Sequence, residues 1–144
     1  MFYIKTSDSL ICVRTVSGSY PNYKAIIPKE FITELEINTD DINNALKASN
    51  IFSDDFNYVK LDIKENEMDF YSKNNKIGES FSKKNIIKNG ENITQNYNHR
   101  YLSDFLNKIK TDKVILKISG KTTPTVIKPK GDNTYTYMVM PMNK

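Results

Sequence analysis

The sequence is poor in the residues that metal, redox and nucleophilic chemistry most often use: it has one histidine and one cysteine in 144 residues. A lone cysteine, Cys12, closes no internal disulfide and points to a reducing compartment. It sits in an apolar, strand-like run and is expected to be a small buried core residue. One histidine, His99, cannot build a Cys/His metal cluster. Its side chain can titrate near neutrality, and a surface position at a helix end is expected for it. No run approaches the roughly 18 apolar residues of a membrane helix, and the first residues lack the form of a signal peptide. A cytoplasmic protein with no membrane partner is expected. Nucleophile-elbow, phosphate-loop and dinucleotide fingerprints are all missing. Asp54-Asp55 can bind a cation, but a solvated loop is the plainer reading. Nothing here supports an enzyme, and no metal or cofactor is expected.

What remains is a globular composition. Hydrophobic residues make up 38% and charged residues 26%, too apolar for disorder. The length suits one domain, or one domain with a piece of another. A net charge of +4 and a pI near 9.0 permit a polyanionic partner without demanding one, because 17 acidic residues are mixed among 21 basic ones.

Residues 2–5 and 10–16 are two β-prone runs, and Thr6-Ser7-Asp8-Ser9 between them is turn chemistry, so a hairpin is expected. Two strands alone are not stable in water and must lean on something else. Residues 18–28 then form a connector with a fixed path, since it carries Pro21, Pro28, Tyr20 and Tyr23. Residues 31–37 alternate, with Phe31, Thr33, Leu35 and Ile37 on one face. Asn38 or Thr39 can cap a helix whose first turn holds Asp40 and Asp41. Ile42, Ala45, Leu46 and Ser49 form its buried stripe. Strands are expected at 58–63, 67–73, 77–83 and 93–97, with Asn89-Gly90 as a turn. Asn98 caps a second helix over 99–110, with a stripe of Tyr101, Leu102, Phe105, Leu106 and Ile109. Strands at 113–119, 125–128 and 135–140 end the chain.

From residue 31 the order is β-α-β-β-β followed by β-α-β-β-β. This internal repeat predicts an α+β domain with antiparallel sheet and two helices on one side. Lys47, Arg100, Lys108 and Lys110 lie away from the two stripes, on a face able to meet phosphates without reading sequence. Ile51 and Phe52 follow the first helix with no core partner by periodicity. An exposed apolar pair marks an interface, so both are expected to be more exposed than other large apolar residues.

The tail reads Tyr135-Thr136-Tyr137-Met138-Val139-Met140-Pro141-Met142, and Pro141 stops its strand. Met138, Met140 and Met142 offer flexible, polarizable surface for apolar side chains of varied shape. By alternation Tyr137 and Val139 share one face and Met138 and Met140 the other. Together with Gly18-Ser19-Tyr20-Pro21-Asn22-Tyr23-Lys24-Ala25-Ile26-Ile27-Pro28, this tail resembles the bacterial sliding clamp, the beta subunit of DNA polymerase III. The resemblance covers the whole chain but only the C-terminal part of the family, whose members have three similar domains.

The resemblance implies a clamp-domain fold, with antiparallel sheets outside and two helices on the inner face. Residues 1–30 correspond to a remnant of the middle domain, and residues 31–144 to the third domain. It implies a processivity factor encircling duplex DNA as part of a ring, completed by further clamp domains or chains. The implied partners are DNA polymerase III subunits, the clamp loader and other proteins carrying clamp-binding motifs. The implied peptide pocket gathers Met138, Val139, Met140, Pro141 and Met142 with Pro21 and Ile26. Asn98 and Tyr101 match its rim, and Thr122 and Pro124 its wall. Ala25 stands where the family often has a basic residue, and Asn143-Lys144 replaces the usual basic-aliphatic ending. The middle-domain part of the pocket is missing. The alternative is a free-standing basic α+β domain that binds nucleic acid or a protein partner without a ring.

Overall fold

The computed structural model describes residues 1–143. Its strands are β1 (Phe2–Lys5), β2 (Leu10–Val13), β3 (Thr33–Asn38), β4 (Tyr58–Ile63), β5 (Glu67–Asn74), β6 (Gly78–Asn85), β7 (Ile87–Gly90), β8 (Ile93–Asn98), β9 (Lys113–Ile118), β10 (Thr125–Pro129) and β11 (Tyr137–Val139). Helix α1 (Thr39–Ile51) follows β3, and helix α2 (His99–Leu106) follows β8. The expected α+β repeat is therefore present, with β7 added between its halves.

Three antiparallel sheets result. β1 and β2 pair only with each other; the other two sheets run β11-β10-β9-β3-β7 and β6-β5-β4-β8. β3 sends Thr33, Leu35 and Ile37 inward, and β4 sends Val59, Leu61 and Ile63. The helix stripes fill the space between. Ile42, Ala45, Leu46 and Ser49 of α1 are buried, as are Leu102, Phe105 and Leu106 of α2. Both helices start from an asparagine. Asn38 Oδ1 accepts from the Asp40 amide at 2.9 Å, and Asn98 Oδ1 accepts from the Arg100 amide at 2.9 Å. Such caps satisfy amides that have no partner within the helix.

A buried polar group ties β8 to β10. The Tyr97 hydroxyl bonds Gln95 Oε1 and Thr125 Oγ1, and Gln95 Nε2 donates to the Gly120 carbonyl at 2.7 Å. Burial pushes the Tyr97 phenol well up, so it stays neutral at all ordinary pH.

Several expectations need correction. Cys12 is exposed, not buried, because no face of the β1–β2 hairpin is covered: all eight of its strand residues are exposed. The second run ends at Val13 rather than at residue 16. Residues 84–91 hold a strand, β7, which pairs with β3 at the sheet edge. Its polar composition (Lys88 and Asn89) is that of an edge strand, which hid it from a hydrophobic pattern. Gly90 is not a hairpin turn but the place where β7 meets β3, with φ of +110°. Helix α2 stops at Leu106, four residues short of Lys110. The Asn107 and Lys108 amides return to Ser103 and Phe105, and Thr39 then binds this turn through the carbonyls of Thr111 and Asp112. The chain must curl there to reach the start of α1. Within α2, Tyr101 is 53% exposed and His99 3% exposed, the reverse of the expected stripe. A helix that begins against a neighbouring loop buries its first residue whatever its periodicity.

Gly90 gives the first test. A Cβ there would lie 2.1 Å from the Ile32 carbonyl oxygen, at a φ that L side chains rarely adopt. Gly90→Ala is expected to cost more than about 1 kcal/mol in urea denaturation. An unchanged midpoint would contradict the β3–β7 register.

Candidate functional site

The tail is built onto two sheet edges at once. β11 forms the edge of the five-stranded sheet, with Val139 opposite Thr125 and Met138 opposite Val126. Beyond Pro141 the Met142 amide donates to the Asn96 carbonyl at 2.7 Å, and Asn96 lies on β8, the edge of the four-stranded sheet. The last residues therefore close the seam between the sheets. Alternation holds as expected. Val139 is 4% exposed and belongs to the core, and Tyr137 packs on Phe105 with ring centroids 5.4 Å apart. Val139 is therefore a core residue and does not share the outer face of Met138 and Met140. Met138, Pro141 and Met142 are half-buried, and Met140 is 56% exposed.

One floor residue escaped the sequence reading. Val126 is 1% exposed yet lies outside the main core cluster, on the same sheet face as its register partner Met138. Lys117 is paired with Val126 and sits over the Phe31 ring, 5.7 Å from its centroid. The side-chain alternation of β10 carried the signal, since Ile127 must point to the core and Val126 away from it.

The other expected pocket residues scatter more. Pro124 is half-buried and Thr122 exposed, on the loop between β9 and β10 that Gln95 holds through Gly120. Asn98 is occupied as the α2 cap and donates to the Phe56 carbonyl at 3.4 Å. Tyr101 lines the cleft between the helices. Pro21 and Ile26 are exposed on the connector around a single 3-10 turn, Tyr23–Ala25. Among the described residues no hydrogen bond joins residues 18–28 to the tail.

The two helices lie side by side, and one shallow cleft between them is lined by Lys47 and Asn50 of α1 and by Arg100, Tyr101 and Asp104 of α2. Lys47 and Arg100 are thus brought together and exposed. Lys108 and Lys110 are exposed in the turn after α2.

At the far end of α1, Ile51 is 65% exposed but Phe52 is only half-exposed. The Phe52 ring packs over Gly78 at the start of β6, where a Cβ would touch it at 3.6 Å. The expectation that both are uncovered therefore fails for Phe52. Phe56, not singled out from the sequence, is 70% exposed in the same loop. A phenylalanine between Asp55 and Asn57 in a polar turn was the available signal.

Comparison with known proteins fits this geometry. The family model described as DNA polymerase III beta subunit, C-terminal domain, matches residues 24–143. The chain belongs to that family. The beta sliding clamp of Synechococcus elongatus is 28% identical over 94% of this chain and 37% of its own length. That of Escherichia coli is 25% identical over 94% of this chain and 37% of its length. The DNA polymerase III beta subunit of Thermotoga maritima superposes with a TM-score of 0.89 at 28% identity, covering 99% of this chain and 39% of that one. The chain thus spans little more than a third of the relatives it matches, and its fold is that of the sliding clamp.

The contrast at the end of α1 is measurable. Ile51→Asp is expected to change folding stability by no more than about 0.5 kcal/mol, as at other exposed positions. Phe52→Asp should cost about 1–3 kcal/mol, because a charge would enter a packed contact. Equal denaturation midpoints for the two variants would refute the difference in packing.

Proposed function

We propose that this chain acts as the third domain of a ring-shaped clamp that encircles duplex DNA and holds short peptide motifs of its client proteins. It is a non-enzymatic scaffold that works in the cytoplasm. The observation that carries this reading is the tail, which joins two sheet edges through β11 and the Met142 amide, buries Val139, and leaves Met138 and Met142 half-buried and Met140 exposed. An extended peptide with Leu or Phe anchors suits such a surface. Pro124 and Thr122 supply the wall and Val126 the floor, Asn98 and Tyr101 the rim, and Pro21 and Ile26 stand beside the pocket on the connector. Polymerase III subunits, the clamp loader and repair proteins with such motifs are the proposed clients.

Residues 1–30 are assigned to a preceding domain and 31–144 to the third. The hairpin's uncovered strands support this division, since an isolated two-stranded sheet needs a neighbour. The same exposure argues against a free-standing domain. Ile51 and Phe56 beside the eight-residue edge strand β6 are the proposed contact with a neighbouring domain of the ring. Lys47, Arg100, Lys108 and Lys110 are the proposed phosphate contacts. Topology holds a ring on DNA, so their affinity need not be high.

Two measurements test this. A Leu- or Phe-ended clamp-binding peptide should bind residues 1–144 in the high-micromolar to millimolar range, about −4 to −6 kcal/mol. Deleting residues 140–144 should abolish that binding while circular dichroism stays native; unchanged binding would place the site elsewhere. Separately, alanine at Lys47, Arg100, Lys108 and Lys110 should shrink the log-log salt slope of duplex binding by nearly one unit per lost phosphate contact. A slope unmoved by all four changes would remove the DNA-facing assignment.

A further inference from the structure

The chain's single histidine has no part in the tail groove, yet it is buried where α2 meets the loop that leaves α1. His99 is the first residue of α2 and is 3% exposed. Its Nε2 lies 3.3 Å from Ser53 Oγ. Ser53 has one O–H, and the Asn50 carbonyl lies 3.1 Å from the same oxygen. With its O–H donated to that carbonyl, Ser53 Oγ is left to accept from Nε2–H. The His99 amide donates to the Asn57 carbonyl at 2.9 Å, and Asn98 Nδ2 reaches the Phe56 carbonyl. From the other side Asn74 Nδ2 donates to the Ser53 carbonyl at 2.9 Å. The loop carrying Phe56, and the end of α1 carrying Ile51 and Phe52, are therefore tied to the start of α2.

We propose that His99 is a positioning residue: its buried imidazole holds residues 53–57 against α2 and so presents the apolar side chains of Ile51 and Phe56. The consequence for ring contact rests on the interface reading above; the positioning itself does not.

Charge is what would release the loop. The charged groups that share the cleft beside His99 are Lys47 of α1 and Arg100 and Asp104 of α2. Lys47 and Arg100 are cationic, and the helix N-terminus also disfavours a cation at its first residue. Burial first, and Arg100 second, hold His99 below the ordinary histidine value. A base whose folded pKa is depressed binds its proton more readily once released. The loop's order is thus complete above the ordinary value of about 6.5 and is lost as pH falls below it toward the folded value.

The test is an NMR titration of the full chain from about pH 8 to pH 5, reading the His99 imidazole and the amides of Ser53, Asp54, Phe56 and Asn57. The loop amides should move with the imidazole midpoint. His99→Gln, neutral throughout, should remove that component and keep the ordered loop. His99→Ala should show the released loop at every pH. If that variant unfolds, Ser53→Ala decides: the loop amides should then show the released state even at about pH 8. A loop transition unchanged in His99→Gln, an imidazole that titrates without loop response, or a loop still ordered in Ser53→Ala would overturn the proposal. A loop that follows His99 with no pH effect on self-association would leave the positioning intact and remove the interface reading instead.

Discussion

Leu46 and Leu102 are each 1% exposed and meet the inward faces of both large sheets in one apolar cluster. Everything else in the molecule follows from that shared burial. Each helix is short, α1 with 13 residues and α2 with 8, too short to be stable on its own in water. Their stability comes from packing, at roughly 1.5–3 kcal/mol for each large apolar side chain removed from water. Both helices must therefore lie on the same side, between the inner faces of two sheets. Once they do, their polar faces are forced outward together, and the outer edges of the sheets are left to carry contacts.

Those edges are handled differently, and the difference has functional meaning. β11 and β8 are brought together by the tail, through the Met142–Asn96 bond. β7 is short and polar, with Gly90 pressed against the Ile32 backbone. β6, with eight residues and an exposed Phe81, is left open beside Phe52. An open strand of that length is a row of unpaired backbone groups that a further strand can extend. The uncovered β1–β2 hairpin makes the same argument at the other end of the chain.

Much of this was legible in the residues. The α1 stripe follows from spacing, because a 13-residue helix has enough turns for periodicity to speak. The α2 stripe was misread at both ends. Its first residue, His99, is buried by a loop distant in sequence, and its last expected turn is cut short by the need to reach Thr39. β7 was missed because an edge strand is selected for polarity, which removes the pattern by which strands are found. Cys12 was misplaced because an apolar strand was taken to have a cover that this chain does not supply. In the tail, the split between Val139 and Met138 with Met140 was readable from alternation. For Val126 the alternation of β10 gave the face, but its burial depends on the tail coming to lie beside that face.

The central claim is that the closed seam between the sheets is a binding surface, with the tail methionines outside and Val139 within. Methyl NMR of the full chain, titrated with a peptide ending in a Leu or Phe anchor, tests it most directly. The methyl signals of Met138, Met140 and Met142 should shift together and saturate on one curve, with Val126 following. Core methyls such as Leu61, 0% exposed on β4, should stay where they are. Shifts confined to the hairpin or to the cleft between the helices, with the three methionines unmoved, would contradict the account.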